Sequence, residues 1–275
     1  MAISAADVSK LRQMTGAGMM DCKRALEETG GDFDKAVDII RKKGQAVASK
    51  RADREASEGV VLSKVTEDAK RGALVVLNCE TDFVAKNESF IALAQSILDL
   101  ALESDAKSLD EVNELKLNGV AVKDVITEQI GVIGEKLEIP YFEVVNAETV
   151  VGYIHPGNKL ATLVGLNKAG IDEQVGRDVA MQVAAMNPVA IDKDSVDQEI
   201  IDKELEIARE QSKLEGKPEN LIDQIAQGRL NRFFKDNTLL EQTFVKDGKI
   251  SIRQYLQNTD KELTVTEFKR YSLSN

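Results

Sequence analysis

The residues best suited to covalent chemistry in this 275-residue chain are two cysteines and a single histidine. A thiolate mechanism would take Cys22 or Cys79 as nucleophile and His155 as base. Cys22 falls within a helical pattern and Cys79 ends an apolar run, settings in which a thiol packs rather than reacts. Neither belongs to a CxxC pair, and one histidine makes no multi-histidine metal site. Gly16-Ala17-Gly18 invites a phosphate-loop reading, but no strand precedes it, no third fingerprint glycine follows, and no Gly-Lys-Ser/Thr completes it. It reads as a tight turn between two helices. The distinctive chemistry left is non-covalent. Met19-Met20 offers adjacent thioethers that cannot both face one thin core, so one of them is expected at the surface as an adaptable protein contact. Asp82-Phe83 sets a carboxylate beside a large ring, and the ring either projects or folds back onto the core.

The elements that position these groups follow from hydrophobic period. Ala73-Leu74-Val75-Val76-Leu77 is a short β-branched run of the buried-strand type. Phe90, Leu93, Ala94, Ile97, Leu98 and Ala101 recur at helical spacing, so Thr81–Asn87 is the joint between a core strand and a helix. Upstream, Ser4 is placed to cap a helix with Val8, Leu11 and Met14 on one face. A second helix runs through Met19, Met20, Cys22, Lys23 and Leu26. Asp32 caps a third through Phe33, Ala36, Val37 and Ile40, ended by Gly44. The basic stretch Arg41–Arg54 reads as a solvated linker.

Downstream, Gly59–Leu62 and Ala73–Leu77 make a hairpin across a polar turn, and Val120–Ile133 is helical before a strand at Leu137–Val145. The pattern then recurs: Val150–Ile154, a turn at His155-Pro156-Gly157-Asn158, Leu160–Leu166, and a helix through Val175, Val179, Val183 and Met186 stopped at Asn187-Pro188. Hairpin then helix, twice, gives an α+β core of two related halves. Ser195–Leu214 carries the stripe Val196, Ile200, Ile207, Ala208 and Leu214, and Leu221–Phe234 carries Ile222, Ile225, Ala226, Leu230 and Phe233. Joined by Glu215-Gly216-Lys217-Pro218, they form an antiparallel helical hairpin that packs on itself or offers a seam to a second copy. Ser251–Leu256 reads as a short helix. Leu263–Tyr271 is a terminal strand returning to the second half, which makes the helical hairpin an insertion. The domains expected are 1–54, 55–140, 141–189 with 235–275, and the insertion 190–234.

Composition narrows the function. Hydrophobic residues at 43% and charged residues at 30% describe a globular chain with no run near the ~20 apolar residues of a membrane span. Met1-Ala2-Ile3-Ser4 has no signal-peptide pattern, and two cysteines make no disulfide framework, so a cytoplasmic setting is expected. A net charge of −11 and 4% aromatics argue against direct nucleic-acid binding. Protein partners are expected, with no cofactor and no metal of its own.

Leu11-Arg12-Gln13-Met14-Thr15-Gly16-Ala17-Gly18-Met19-Met20-Asp21-Cys22-Lys23-Arg24-Ala25-Leu26 resembles the N-terminal signature of the elongation factor Ts family. Asn78–Asn87 is similar to that family's second signature, Asn-Cys-x-Thr-Asp-Phe-Val-Ala-Lys. Gly216-Lys217-Pro218, Gly228-Arg229 and Phe268-Lys269-Arg270-Tyr271 extend the likeness along nearly the whole chain. The resemblance implies guanine-nucleotide exchange on elongation factor Tu. It also implies a ubiquitin-associated-like N-terminal bundle, a two-subdomain core and an inserted hairpin able to dimerise. It assigns Leu11, Arg12, Met19 and Met20 to docking on the GTPase. It assigns Thr81, Asp82, Phe83 and Val84 to dislodging the partner's Mg²⁺. Ile133 and Gly134 support that insertion, and His155 faces another domain of the GTPase. Ending at Asn275, the sequence carries no counterpart of the C-terminal helix some members use as a further contact. A non-catalytic adaptor working through the N-terminal bundle is the alternative, and it leaves Thr81–Asn87 without a purpose.

Overall fold

The computed structural model describes residues 3–274, which form a mixed α+β protein. Packing divides the chain into two compact units. The first takes the residues up to Leu62, Leu74–Glu143 and those from Ser272 on; the second takes Ser63–Ala73 and Val144–Tyr271.

The first unit opens with helices α1 (Ala5–Thr15), α2 (Met19–Glu28) and α3 (Phe33–Arg51). Ser4 and Asp7 close a reciprocal capping box on α1, and Gly16 ends it with φ 70°, a left-handed conformation that favours glycine. Gly16-Ala17-Gly18 is therefore a helix-to-helix turn. Val8, Leu11, Ala17, Cys22, Ala25, Leu26 and Ala36 form the small core of the bundle. Met14 stands exposed rather than in this core. Four residues on from Leu11 it is half-buried Thr15 that lies on the inward side of α1, its hydroxyl donating to the Leu11 carbonyl at 2.8 Å.

Helix α3 does not stop at Gly44, and Arg41–Arg51 is not a linker. Gly44 is a packing residue in mid-helix. It faces Gly131 of α7 (Val122–Ile133), and a Cβ on Gly131 would lie 2.5 Å from the Gly44 Cα. Two facing glycines let the helix backbones approach closely, and Arg41 adds an ion pair to Glu128 at 2.6 Å. The helix continues because its C-terminal half gains a tertiary partner that local sequence does not reveal.

Strands β1 (Glu58–Val65) and β2 (Arg71–Cys79) lead to a one-turn helix α4 (Asp82–Ala85) and then to α5 (Glu88–Glu103). Every residue of β2 from Gly72 to Cys79 is buried, as expected for an uninterrupted apolar strand. Helix α6 (Leu109–Glu114) and the two-residue strands β3 (Lys116–Leu117) and β4 (Val120–Ala121) precede α7. Strand β5 (Glu138–Asn146) follows it in a sheet of order β1-β2-β5. The pieces between Glu103 and α7 are too short for a hydrophobic period to show them.

In the second unit β6 (Thr149–Ile154) pairs antiparallel with β7 (Leu160–Leu166), Val151 opposite Val164. Helix α8 (Glu173–Met186) packs on both strands. After a 3₁₀ turn at Lys193–Ser195 come α9 (Gln198–Leu214) and α10 (Ile222–Asn237), packed on one another. Leu214 is not part of their seam: it is 89% exposed at the end of α9. Ser212 takes the inward position instead, donating to the Ala208 carbonyl at 2.7 Å. A small ribbon of β8 (Thr243–Phe244) and β9 (Asp247–Ser251) leads through α11 (Ile252–Thr259) to β10 (Val265–Ser272), which flanks β7 in the order β10-β7-β6. Val164, Leu166, Val179, Val183, Leu239, Ile252 and Leu256 are central to the core of this unit.

Candidate functional site: an interlocked corner carrying an exposed phenylalanine

The corner after β2 is built by two consecutive helix caps. Thr81 is the N-cap of α4, its hydroxyl oxygen accepting from the Val84 N–H at 3.4 Å. Asn87, six residues on, caps α5 by accepting from the Ser89 N–H at 2.9 Å. Between them stands a single turn of helix, short enough that its direction is set from outside.

Glu135 supplies that direction. Its carboxylate accepts the Glu80 N–H at 3.1 Å, the Thr81 N–H at 3.0 Å and the Thr81 hydroxyl at 2.7 Å. Glu80 reciprocates, accepting the Lys136 N–H at 2.6 Å. Glu80 also takes guanidinium donors from Arg51 at 2.7 Å and Arg54 at 3.0 Å. Burial alone would raise the Glu80 carboxyl, but the Lys136 N–H and the two arginines together outweigh it and hold the pKa at about 2. The two carboxylates thus grip the backbone on both sides of the corner.

Phe83 points away from that grip. Within the single turn of α4 it lies two residues from buried Ala85, roughly 200° around the helix. The residue is 84% exposed. Asp82 is half-buried and pairs with Lys86 one turn on, at 2.6 Å. Val84 is half-buried. Behind the corner Cys79 is buried, its thiol donating to the Thr81 carbonyl at 3.2 Å. Burial first, and the negative charge of Glu135 second, push that thiol up to about 12. A thiol held there is almost wholly protonated near neutral pH and is no nucleophile.

The N-terminal signature divides by burial. Leu11 is fully buried and serves the bundle core, so any share it has in a contact comes from holding α1 in place. Arg12 is exposed. Met19 and Met20 are both exposed, at 43% and 63%, where only one was expected outside. Helix α2 already fills its inward face with Cys22, Ala25 and Leu26. Beside them Asp21 pairs with Lys43 and Arg24, and a cleft of about 430 Å³ runs past Met14, Asp21, Arg41 and Glu128.

Ile133 and Gly134 are half-buried at the end of α7. Gly134, with φ 80°, donates to the Ile130 carbonyl at 2.9 Å and stops the helix one residue before Glu135. In the second unit His155 is exposed in the β6–β7 turn, its Nδ1 2.9 Å from the Tyr153 hydroxyl. Glu80, Glu135, Arg51 and Arg54 escaped the sequence reading. The only local sign was an acidic residue directly after a helix-stopping glycine, and Arg51 and Arg54 resembled any basic surface run.

Comparison with known proteins gives the class first: a translation elongation factor. A sequence model described as Elongation factor TS matches residues 80–275. Proteins called Elongation factor Ts match from end to end. That of Porphyromonas gingivalis is 55% identical over 275 residues, covering 100% of this chain and 99% of its own. Those of Amoebophilus asiaticus and Christiangramia forsetii are each 52% identical, covering 98% of both chains. The chain belongs to the elongation factor Ts family. Among the described residues no helix is long and apolar enough to cross a membrane.

Proposed function

We propose that this protein promotes GDP release from, and GTP exchange on, elongation factor Tu, acting by docking on it and disturbing the site that holds Mg²⁺ and the nucleotide's phosphates. The observation that carries the reading is Phe83, a large apolar ring left in solvent on a corner gripped by seven hydrogen bonds from the two glutamates and Thr81. Covering a ring this exposed would contribute about 1.5–3 kcal/mol of apolar burial to an association. A rigid corner lets it enter a partner with little ordering entropy to lose.

In this reading Phe83 is the wedge, with Asp82 and Val84 bracketing it and Thr81 fixing its base. Met19, Met20 and Arg12 anchor the bundle on the GTPase domain, where flexible thioethers adapt to a partner surface. Ile133 and Gly134 support the wedge by ending α7 where Glu135 is needed. His155, exposed on its turn, meets a separate part of the partner. Exchange then needs no bond made or broken by this chain: it binds better to the nucleotide-free conformation and shifts the population towards it. We read residues 1–54 as a ubiquitin-associated-like docking module and 190–234 as an inserted hairpin. Exposed Ile207, Leu214 and Leu221 on that hairpin support self-association through it. The cytoplasm is the setting in which such a partner is met.

Displacement of a fluorescent GDP from loaded elongation factor Tu tests the reading. Phe83→Ala is expected to slow release by about tenfold or more at saturating factor, the loss of one buried aromatic anchor of roughly 2 kcal/mol. Undiminished release at equal occupancy would remove Phe83 from the mechanism.

A further inference from the structure

We propose that Glu135 and Glu80 are positioning residues for Phe83, and that Arg51 and Arg54 tie the corner they hold to the end of α3. The inference rests on the wedge reading and adds the parts that aim the ring.

Helix α4 has four residues, too few to hold a direction through its own hydrogen bonds. Its orientation is fixed where it starts, at Glu80 and Thr81. Both N–H groups there, and the Thr81 hydroxyl, end on the one carboxylate of Glu135. That carboxylate is itself aimed by the left-handed Gly134, so the end of α7 dictates the start of α4. Glu80 closes the loop in the other direction. Its carboxylate binds the Lys136 N–H, so each glutamate holds the backbone next to the other. Neither can turn without breaking the partner's bonds.

The arginines extend this grip. Arg51 is the last residue of α3 and Arg54 lies three residues beyond, and both reach Glu80. Helix α3 is also pinned to α7 by the facing Gly44 and Gly131. One closed circuit therefore runs from α3 to α7, to Glu135, to the corner, and back through Glu80 to α3. A displacement of α3, the last helix of the bundle that carries Met19 and Met20, would reach Phe83 along it. Charge-assisted bonds suit this task, being shorter and stronger than neutral ones.

The test separates aiming from binding. GDP release from loaded elongation factor Tu is followed against factor concentration for wild type, Phe83→Ala, Glu135→Ala, Glu135→Gln and the double variant Arg51→Gln/Arg54→Gln, each checked by melting temperature and circular dichroism. Glu135→Ala is expected to lower the saturated release rate by about tenfold while the half-saturating concentration moves less than about twofold, since the docking residues are untouched. Glu135→Gln keeps one oxygen acceptor and is expected to recover part of the rate, and the arginine double variant to lose a smaller part. A Glu135→Ala protein that is folded and saturates at the wild-type rate overturns the proposal. So does one that changes only half-saturation, because the clasp would then serve docking. Loss of rate in Phe83→Ala with none in Glu135→Ala removes the positioning role alone. Full rate in Phe83→Ala removes the wedge reading and this proposal with it.

Discussion

A single ring and a single thiol, four residues apart, have opposite fates because of what surrounds them. Phe83 is outside because α4 turns its inward face to Ala85, and the second residue of the helix stands roughly 200° around from it. Cys79 is inside, hydrogen-bonded and facing a carboxylate. Its pKa of about 12 predicts resistance to iodoacetamide near neutral pH in the native protein, with labelling only after unfolding. Mass spectrometry of alkylated tryptic peptides reads this directly, and rapid native labelling of Cys79 would contradict the burial assigned to it. The alternatives at this corner were visible in the residue types, but the choice between them was not. Strand-to-helix position said that Phe83 could point outward. Only the 200° turn from Ala85, in a one-turn helix too short to register as a period, decides that it does. The clasp was illegible for a different reason. Glu80 and Glu135 are 55 residues apart, and no local pattern reports a pairing of that range.

Elements with strong apolar periods were readable from the chain: β2, α5, α7, β6, β7 and α8 fall where the spacing puts them. Helix α3 was read short because Gly44 is a helix breaker by propensity, costing about 1 kcal/mol against alanine. The fold makes that residue useful by setting it against Gly131. Two effects compete when a methyl group is added there. Gly131→Ala gains up to about 1 kcal/mol of helix propensity. It also drives a Cβ to 2.5 Å from the Gly44 Cα, a backbone atom that cannot rotate away. Overpacking of this kind costs about 1–3 kcal/mol, so net destabilisation is expected. Gly228 in α10 is the control, because nothing lies within 4 Å of a Cβ placed there. Gly228→Ala is expected to leave stability unchanged or raise it by up to about 1 kcal/mol. The urea midpoint should therefore fall for Gly131→Ala and hold or rise for Gly228→Ala. A stabilised Gly131→Ala would mean that the two helices do not cross this closely.

For the molecule as a whole, the proposed function divides the work of exchange between the exposed methionines and the exposed ring. A factor that binds the GTPase equally well with and without nucleotide changes no nucleotide affinity, however tightly it docks. Contacts through Met19 and Met20 that are the same in both states therefore set only the concentration at which exchange saturates. Phe83, which under the proposed function inserts only when the metal site is disturbed, would then set the rate reached at saturation. Met20→Ala is then expected to raise the half-saturating concentration about fivefold to tenfold and leave the saturated rate nearly unchanged, as loss of an ordinary docking contact of ~1 kcal/mol does. Phe83→Ala should do the reverse, and in the double variant the two effects should add in free energy because the residues share no role. Linkage adds a constraint that activity alone cannot meet. Whatever factor the protein imposes on GDP affinity, GDP must impose on the affinity of the protein for the GTPase. Calorimetric titration into nucleotide-free and GDP-loaded elongation factor Tu measures that ratio. In Phe83→Ala the ratio should shrink towards one, while in Met20→Ala both affinities should fall together and leave it intact. If Met20→Ala changes the ratio as much as Phe83→Ala does, the bundle and the corner act as one wedge rather than as anchor and lever.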